Sequence, residues 1–197
     1  MNMMFQNIIL FFRDPETLFG KLKENPDLKR SFIIFAVIIC FYYVGSTRIA
    51  HVAIRFTIPE SISLLVSLAA LSSTLFLSVI YESFYFFLFC RFLGRKIKFG
   101  AILSSVIYCS IPLIFLVLLR ALFPINLTLY SLVSTKELHP FLSVLYQRVG
   151  IFDAWISIME IIAIKIISDL NYKKSAAIVF SSWLITIMLT YFLGITL

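Results

Sequence analysis

Two carboxylates stand where carboxylates are expensive to keep. Glu82 lies deep in an apolar run, about two turns before Arg91. Glu160 lies near the middle of another run, with Ser157 and Asp153 one and two turns earlier on the same helical face. A charge at the centre of a bilayer costs at least about 2.5 to 3.5 kcal/mol on insertion scales, so each carboxyl must be neutral, paired or beside water. Glu82, Glu160 and Asp153 therefore form a candidate intramembrane polar site. Its chemistry would be relay of protons or cations; the plainer role is that of protonated or hydrogen-bonded carboxyls holding helices together. Lys165 is the nearest cation in the same run, but its spacing from Glu160 turns it about 140° around the helix, which rules it out as a close same-helix partner.

Other reactive residue types form no constellation. The chain has no HExxH, no GxSxG, no glycine-rich phosphate loop and no paired His/Cys spacing, so no enzyme, metal or cofactor is expected. His51 and His139 stand alone near segment ends. Cys40, Cys90 and Cys109 form no CxxC pair and sit in apolar runs, where each behaves as a small hydrophobe and no disulfide is expected. Asn126-Leu127-Thr128 matches a glycosylation sequon but falls too near an apolar segment for use.

The elements that must position the carboxylates follow from composition. Of 197 residues, 61% are hydrophobic and 14% charged, and the mean hydropathy is +1.00. That excludes a water-soluble domain, a disordered chain and a coiled coil. The net charge of +7 then points to a membrane surface and not to nucleic acid. Hydrocarbon offers the backbone no partners, so spanning segments must be helices or a closed barrel. The expectation is an all-α polytopic bundle of five transmembrane helices with an amphipathic interfacial helix at its N-terminus.

Five apolar segments are separable: 31–45, 62–90, 99–119, 151–170 and 176 to the C-terminus. Gly45, Gly94, Gly100, Gly150, Pro59 and Pro124 punctuate their ends, and Pro112 alone falls inside one. The second segment would be roughly 43 Å long, more than the hydrocarbon thickness, so it must tilt or project. The first is short and is expected to extend through Arg48, its guanidinium snorkelling outward. Pro112 frees the carbonyl of Tyr108, and a bend is expected there, with Ser104, Ser105 and Cys109 near a packing site.

Alternate connections differ in basic residues. The N-terminal arm, the second-to-third loop and the fourth-to-fifth loop together carry eleven Lys and Arg, against five on the opposite connections. Positive-inside logic then predicts a multi-pass protein of the cell membrane with a cytoplasmic N-terminus and an external C-terminus. Residues 1–30 divide off as a cytoplasmic arm and 31–197 as the membrane domain. Met1 to Phe12 resembles a secretory h-region, but no basic residue precedes it and no small-residue cleavage site follows, so it is expected to be retained.

In the arm, Asp14 can cap a helix with Pro15 at its first position, leaving Pro15, Leu18, Phe19 and Leu22 on one face. Lys21 and Lys23 fall away from that face. Such a helix suits anionic lipid or a docked partner. With the second-to-third loop, the basic contacts expected at the cytoplasmic face are Lys21, Lys23, Arg91, Arg95, Lys96 and Lys98. Residues 121–149 are too apolar for an ordinary loop and are expected to form helical pieces on the outer surface. Ser63, Ser67, Thr74, Ser78, Glu82 and Tyr85 follow one face of the second segment, and Ser182, Thr186 and Thr190 one face of the fifth, a pattern that lets helices approach and hydrogen-bond across their interface. The aromatic run 81–89 reads as lipid-facing bulk.

Three stretches carry a resemblance. Arg13-Asp14-Pro15-Glu16-Thr17-Leu18-Phe19 with Asn25-Pro26 forms a proline-containing lead-in. Phe99 followed by Tyr108-Cys109-Ser110-Ile111-Pro112 sets a Tyr a turn before a Pro. Phe152-Asp153-Ala154-Trp155 leads to the basic Lys173-Lys174-Ser175-Ala176 turn. Together these resemble the Ypt-interacting-protein (Yip) domain family of small five-span membrane proteins, and the resemblance makes Pro15, Tyr108, Pro112 and Trp155 structural motif positions. Ala163 stands where members often have glycine, and the acidic, tryptophan-containing cytosolic segment of eukaryotic trafficking members is missing. The resemblance implies a prokaryotic-type member that organises membrane or binds a protein partner at the cytoplasmic face. The competing expectation is a small proton or cation transporter or channel built on Glu82 and Glu160.

Overall fold

A computed structural model of the chain describes residues 3–50, 60–122 and 150–193. The elements among them are all α-helices: α1 (Met3–Arg13), α2 (Pro15–Glu24), α3 (Leu28–Ala50), α4 (Glu60–Phe92), α5 (Phe99–Cys109), α6 (Pro112–Leu122), α7 (Ile151–Ser168) and α8 (Tyr172–Leu193). The five apolar segments correspond in order to α3, α4, α5 with α6, α7 and α8. Among the described residues, Leu68–Phe92 and Phe99–Leu119 are long and apolar enough to cross a bilayer. Large apolar side chains are on the outside as well as in the core: Phe76, Phe84, Phe180 and Leu184 face outward, while Ser31, Ser83, Ser168 and Ser182 are buried among the apolar core residues. An exposed apolar surface of this kind suits lipid.

The core is built around α5. Every residue from Ala101 to Cys109 is buried, packed by α3, α4 and α7. Cys90 and Cys109 are core residues and Cys40 is exposed. Of the aromatic run on α4, Phe84 and Phe89 face outward, but Phe86 is buried in the core. That part of the lipid-facing expectation fails because the run spans more than a helical turn and must meet both sides.

The break at Pro112 is present. The helix is interrupted at Ser110 and Ile111, and the Tyr108 carbonyl that Pro112 cannot satisfy accepts the Ile111 amide at 3.1 Å. The freed acceptor is thus satisfied by a local tight turn, not by another helix. Ser104 and Ser105 are buried close by, their hydroxyls without a hydrogen-bond partner among the described residues. At the end of α4, Gly94 adopts φ +76°. Its amide bonds Arg91 O and that of Arg95 bonds Cys90 O, the Schellman closure that favours glycine.

Two helices precede α3. The α2 start is as its residues dictate: Asp14 accepts the Thr17 amide at 3.1 Å, and Pro15 occupies the first turn. The Thr17 hydroxyl and amide hold the Asp14 carboxyl below its ordinary value of 3.8. Leu18, Phe19 and Leu22 are buried, but against α5 and α7. The face expected to meet lipid or a partner is therefore covered by the bundle itself, since three large apolar side chains on one face fit the groove between two helices. The helix with an apolar outer face is α1, where Phe5, Ile9 and Phe12 are exposed and Asn7 and Phe11 turn inward. No element was expected there.

The side chain of Arg48, residues 51–59 and 123–149 with the two histidines and the sequon, and the side chains of Ser63, Ser67 and Thr190 lie outside the described residues.

Candidate functional site

The arm is fastened to the bundle by polar contacts at two connections, α4–α5 and α7–α8. Lys165, on the last turns of α7, donates to Glu16 Oε1 at 2.8 Å and to the Tyr172 hydroxyl at 3.0 Å, while Tyr172 also donates to Glu16 at 3.0 Å. The ammonium further lies 4.2 Å from the Tyr172 ring centre, within cation–π range. The partner of Lys165 is therefore a carboxylate 149 residues away in sequence. The Lys165 and Tyr172 hydrogen bonds hold the Glu16 carboxyl below its ordinary value of 4.5. Lys23 pairs with Asp169, the residue that closes α7 in a left-handed conformation at φ 52°, which Asp tolerates better than most side chains. Lys98 donates to the Glu24 carbonyl at 3.1 Å.

These contacts gather the end of α2, the α4–α5 connection and the α7–α8 connection at one end of the bundle. Of the basic residues expected to act there, Lys21, Arg91 and Lys96 are exposed and Arg95 is half-buried. Lys23 and Lys98 are spent on holding the arm. Lys173 and Lys174 are exposed in the first turn of α8, whose start is capped by Asn171 Oδ1 accepting the Lys174 amide at 2.9 Å.

The motif positions Tyr108 and Trp155 both meet α1. The Tyr108 hydroxyl, fully buried, accepts a 3.1 Å hydrogen bond from Asn7 Nδ2. Trp155 packs with its ring centre 5.9 Å from Phe12 and 6.2 Å from Phe115. Asn7 was missed because a lone amide in an apolar start has no motif; its signal is the four-residue spacing that puts it on one face with Phe11.

Inside the bundle, Glu82 from α4 and Asp153 and Glu160 from α7 line one cavity of about 140 Å³, with Ser78, Ser157 and Thr186. Glu160 is 5% exposed and close enough to Glu82 for the two carboxyls to interact electrostatically. A void of about 10 Å³ on its other side is lined by Ser105 and Cys109. No Lys, Arg or His is among the described residues lining the cavity. The three carboxyls do not converge as ligands of one metal ion must; among the described residues no such group of three exists.

The hydroxyls of these helices make both local and crossing bonds. Ser72, Thr74, Ser83 and Thr186 donate to carbonyls one turn back in their own helices at 2.6 to 3.0 Å, since a hydroxyl in a helix finds that acceptor without leaving its turn. A bond between helices, as expected of the row on α4, is made by Tyr85, whose hydroxyl donates to Ser181 Oγ of α8 at 2.8 Å.

No curated protein and no solved structure matches the chain. Residues 9–194 match the profile of the Yip1 domain, a span that takes in the arm, the Tyr108–Pro112 break, Trp155 and the basic connections. The chain belongs to the Yip1 domain family and is a membrane protein of that family.

Proposed function

We propose that the protein is a non-enzymatic membrane adaptor that presents a basic cytoplasmic face to a protein partner or to anionic lipid. The observation that supports this reading is the convergence of three basic connections at one end of the bundle, fastened by Glu16–Lys165, Lys23–Asp169 and Lys98–Glu24, with Lys21, Arg91, Lys96, Lys173 and Lys174 left facing outward. Five spans with the N-terminus inside and the C-terminus outside would put that end in the cytoplasm, on the side richer in Lys and Arg. Crosslinking from native membranes followed by pull-down tests it: the intact protein should capture a partner that Lys21→Glu/Lys96→Glu loses, and equal capture by both would count against the basic face.

A second reading, a small transporter or channel for protons or cations, is favoured by the carboxylate-lined cavity. Sealed proteoliposomes separate the two, because an adaptor is silent in a flux assay and a transporter is not.

A further inference from the structure

Helix α1 has three kinds of side. Asn7 and Phe11 fall on one side and are buried, whereas Phe5, Ile9 and Phe12 fall on the opposite side and are 43% to 57% exposed. Gln6 and Arg13 share an exposed flank between the two. The buried side is held by the Asn7 bond to Tyr108, and the edge of the Phe12 ring meets Phe115 at 5.7 Å and Trp155 at 5.9 Å between centres. What lies against the outer side follows from the depth of those anchors. The Phe99–Leu119 segment has 21 residues, which matches the roughly 30 Å of hydrocarbon. Tyr108 lies roughly 14 Å along it from Phe99, and Trp155 lies roughly 20 Å from the Ser168 end of α7. Both distances run from the end of the bundle where Lys98 and Asp169 hold the arm. The anchors of α1 are therefore at the level of hydrocarbon and not of the membrane surface. Phe115, which Phe12 touches, is itself exposed, so the outer side of α1 continues the apolar exterior of the bundle.

We propose that α1 is embedded in the leaflet on the arm's side of the membrane, with Phe5, Ile9 and Phe12 forming a contact surface for lipid acyl chains. A helix in water carries its polar residues outermost. In α1 they are confined to one flank, the arrangement of a helix lying within one leaflet, where the long Arg13 side chain reaches back to headgroup phosphates. The membrane domain then begins at α1, ahead of the first apolar segment, and the N-terminal residues displace lipid on one side of the bilayer only. This placement goes beyond the adaptor reading and holds whether or not the basic face has a partner.

The test uses the full chain in lipid nanodiscs, with Cys40, Cys90 and Cys109 replaced by alanine and a nitroxide attached at Ile9→Cys. Reference labels go on Lys173, exposed in the first turn of α8, and on Phe180, exposed two turns further along that helix. Power saturation reads collisions with oxygen, which concentrates in hydrocarbon, and with a nickel chelate, which stays in water. The expected result is an oxygen-to-nickel ratio at Ile9 that matches Phe180 and stands several-fold above Lys173. If Ile9→Cys does not elute as folded protein, Phe5→Cys carries the measurement under the same criterion. A label that meets the nickel chelate as Lys173 does overturns the placement, since the face would then be in water and open to a protein partner. A label that meets neither reagent also overturns it, since the face would then be covered by protein, such as a second copy of the chain.

Discussion

Asn7 Nδ2 and the Tyr108 hydroxyl meet at 3.1 Å across 101 residues of sequence, in the buried interior between α1 and the last turn of α5. This bond makes the first helix part of the folded body, because Tyr108 is fully buried and a buried hydroxyl left without a partner is costly. It also ties the N-terminal segment to the helix that breaks at Pro112.

Asn7→Ala strands the Tyr108 hydroxyl and Tyr108→Phe strands the Asn7 amide, which is also buried, so each should cost about 1 to 3 kcal/mol. Because the two groups share one bond, the double variant should lose less than the sum of the singles by about 0.5 kcal/mol or more. Denaturant unfolding in detergent micelles measures all three, and strictly additive losses would show that the bond contributes nothing.

The Glu16–Lys165–Tyr172 contact predicts acid release of the arm. The Glu16 carboxyl titrates below its ordinary 4.5 in the folded protein, so its contribution to docking is complete above that value and is lost as pH falls through the lower, folded one. Spin labels at the exposed Lys21 and Lys173 should report a narrow distance distribution at neutral pH that broadens in strong acid. Glu16→Gln should broaden it already at neutral pH. A distribution that is the same for both proteins at every pH would refute the coupling.

At the helix break, Pro112→Ala restores an amide able to bond the Tyr108 carbonyl, which now accepts from Ile111. The helix should straighten, and the distance between labels at Lys96 and Leu118 should lengthen. An unchanged distance would assign the break to packing around Ser110 and not to the proline.

Topology is decided by a cysteine at Thr196, which lies outside the described residues, in a background with the three native cysteines replaced. An impermeant maleimide should label it in intact cells. The sensitive point is α7, which carries Asp153, Glu160 and Lys165 in 18 residues. Labelling only after lysis would mean that α7 does not cross and that the C-terminus is inside.

What the residues determine alone is what depends on near neighbours and on the solvent they require. Hydropathy makes the chain a helical membrane protein, because the backbone in hydrocarbon has few other solutions. Asp14 and Pro15 start α2, Gly94 ends α4 and Pro112 breaks the third apolar segment, each through an effect confined to a turn or two. Three short stretches carry the family, and residues 9–194 match its domain. What the tertiary structure decides is which faces meet. It pairs Lys165 with Glu16 when the same-helix carboxylate had the nearer number. It lays Leu18, Phe19 and Leu22 against α5 and α7 and sets Glu82 around one cavity with Asp153 and Glu160. In helices apolar on nearly every side, periodicity leaves the rotation about the axis undetermined. That rotation is settled by side-chain packing and by the few polar contacts between helices distant in sequence.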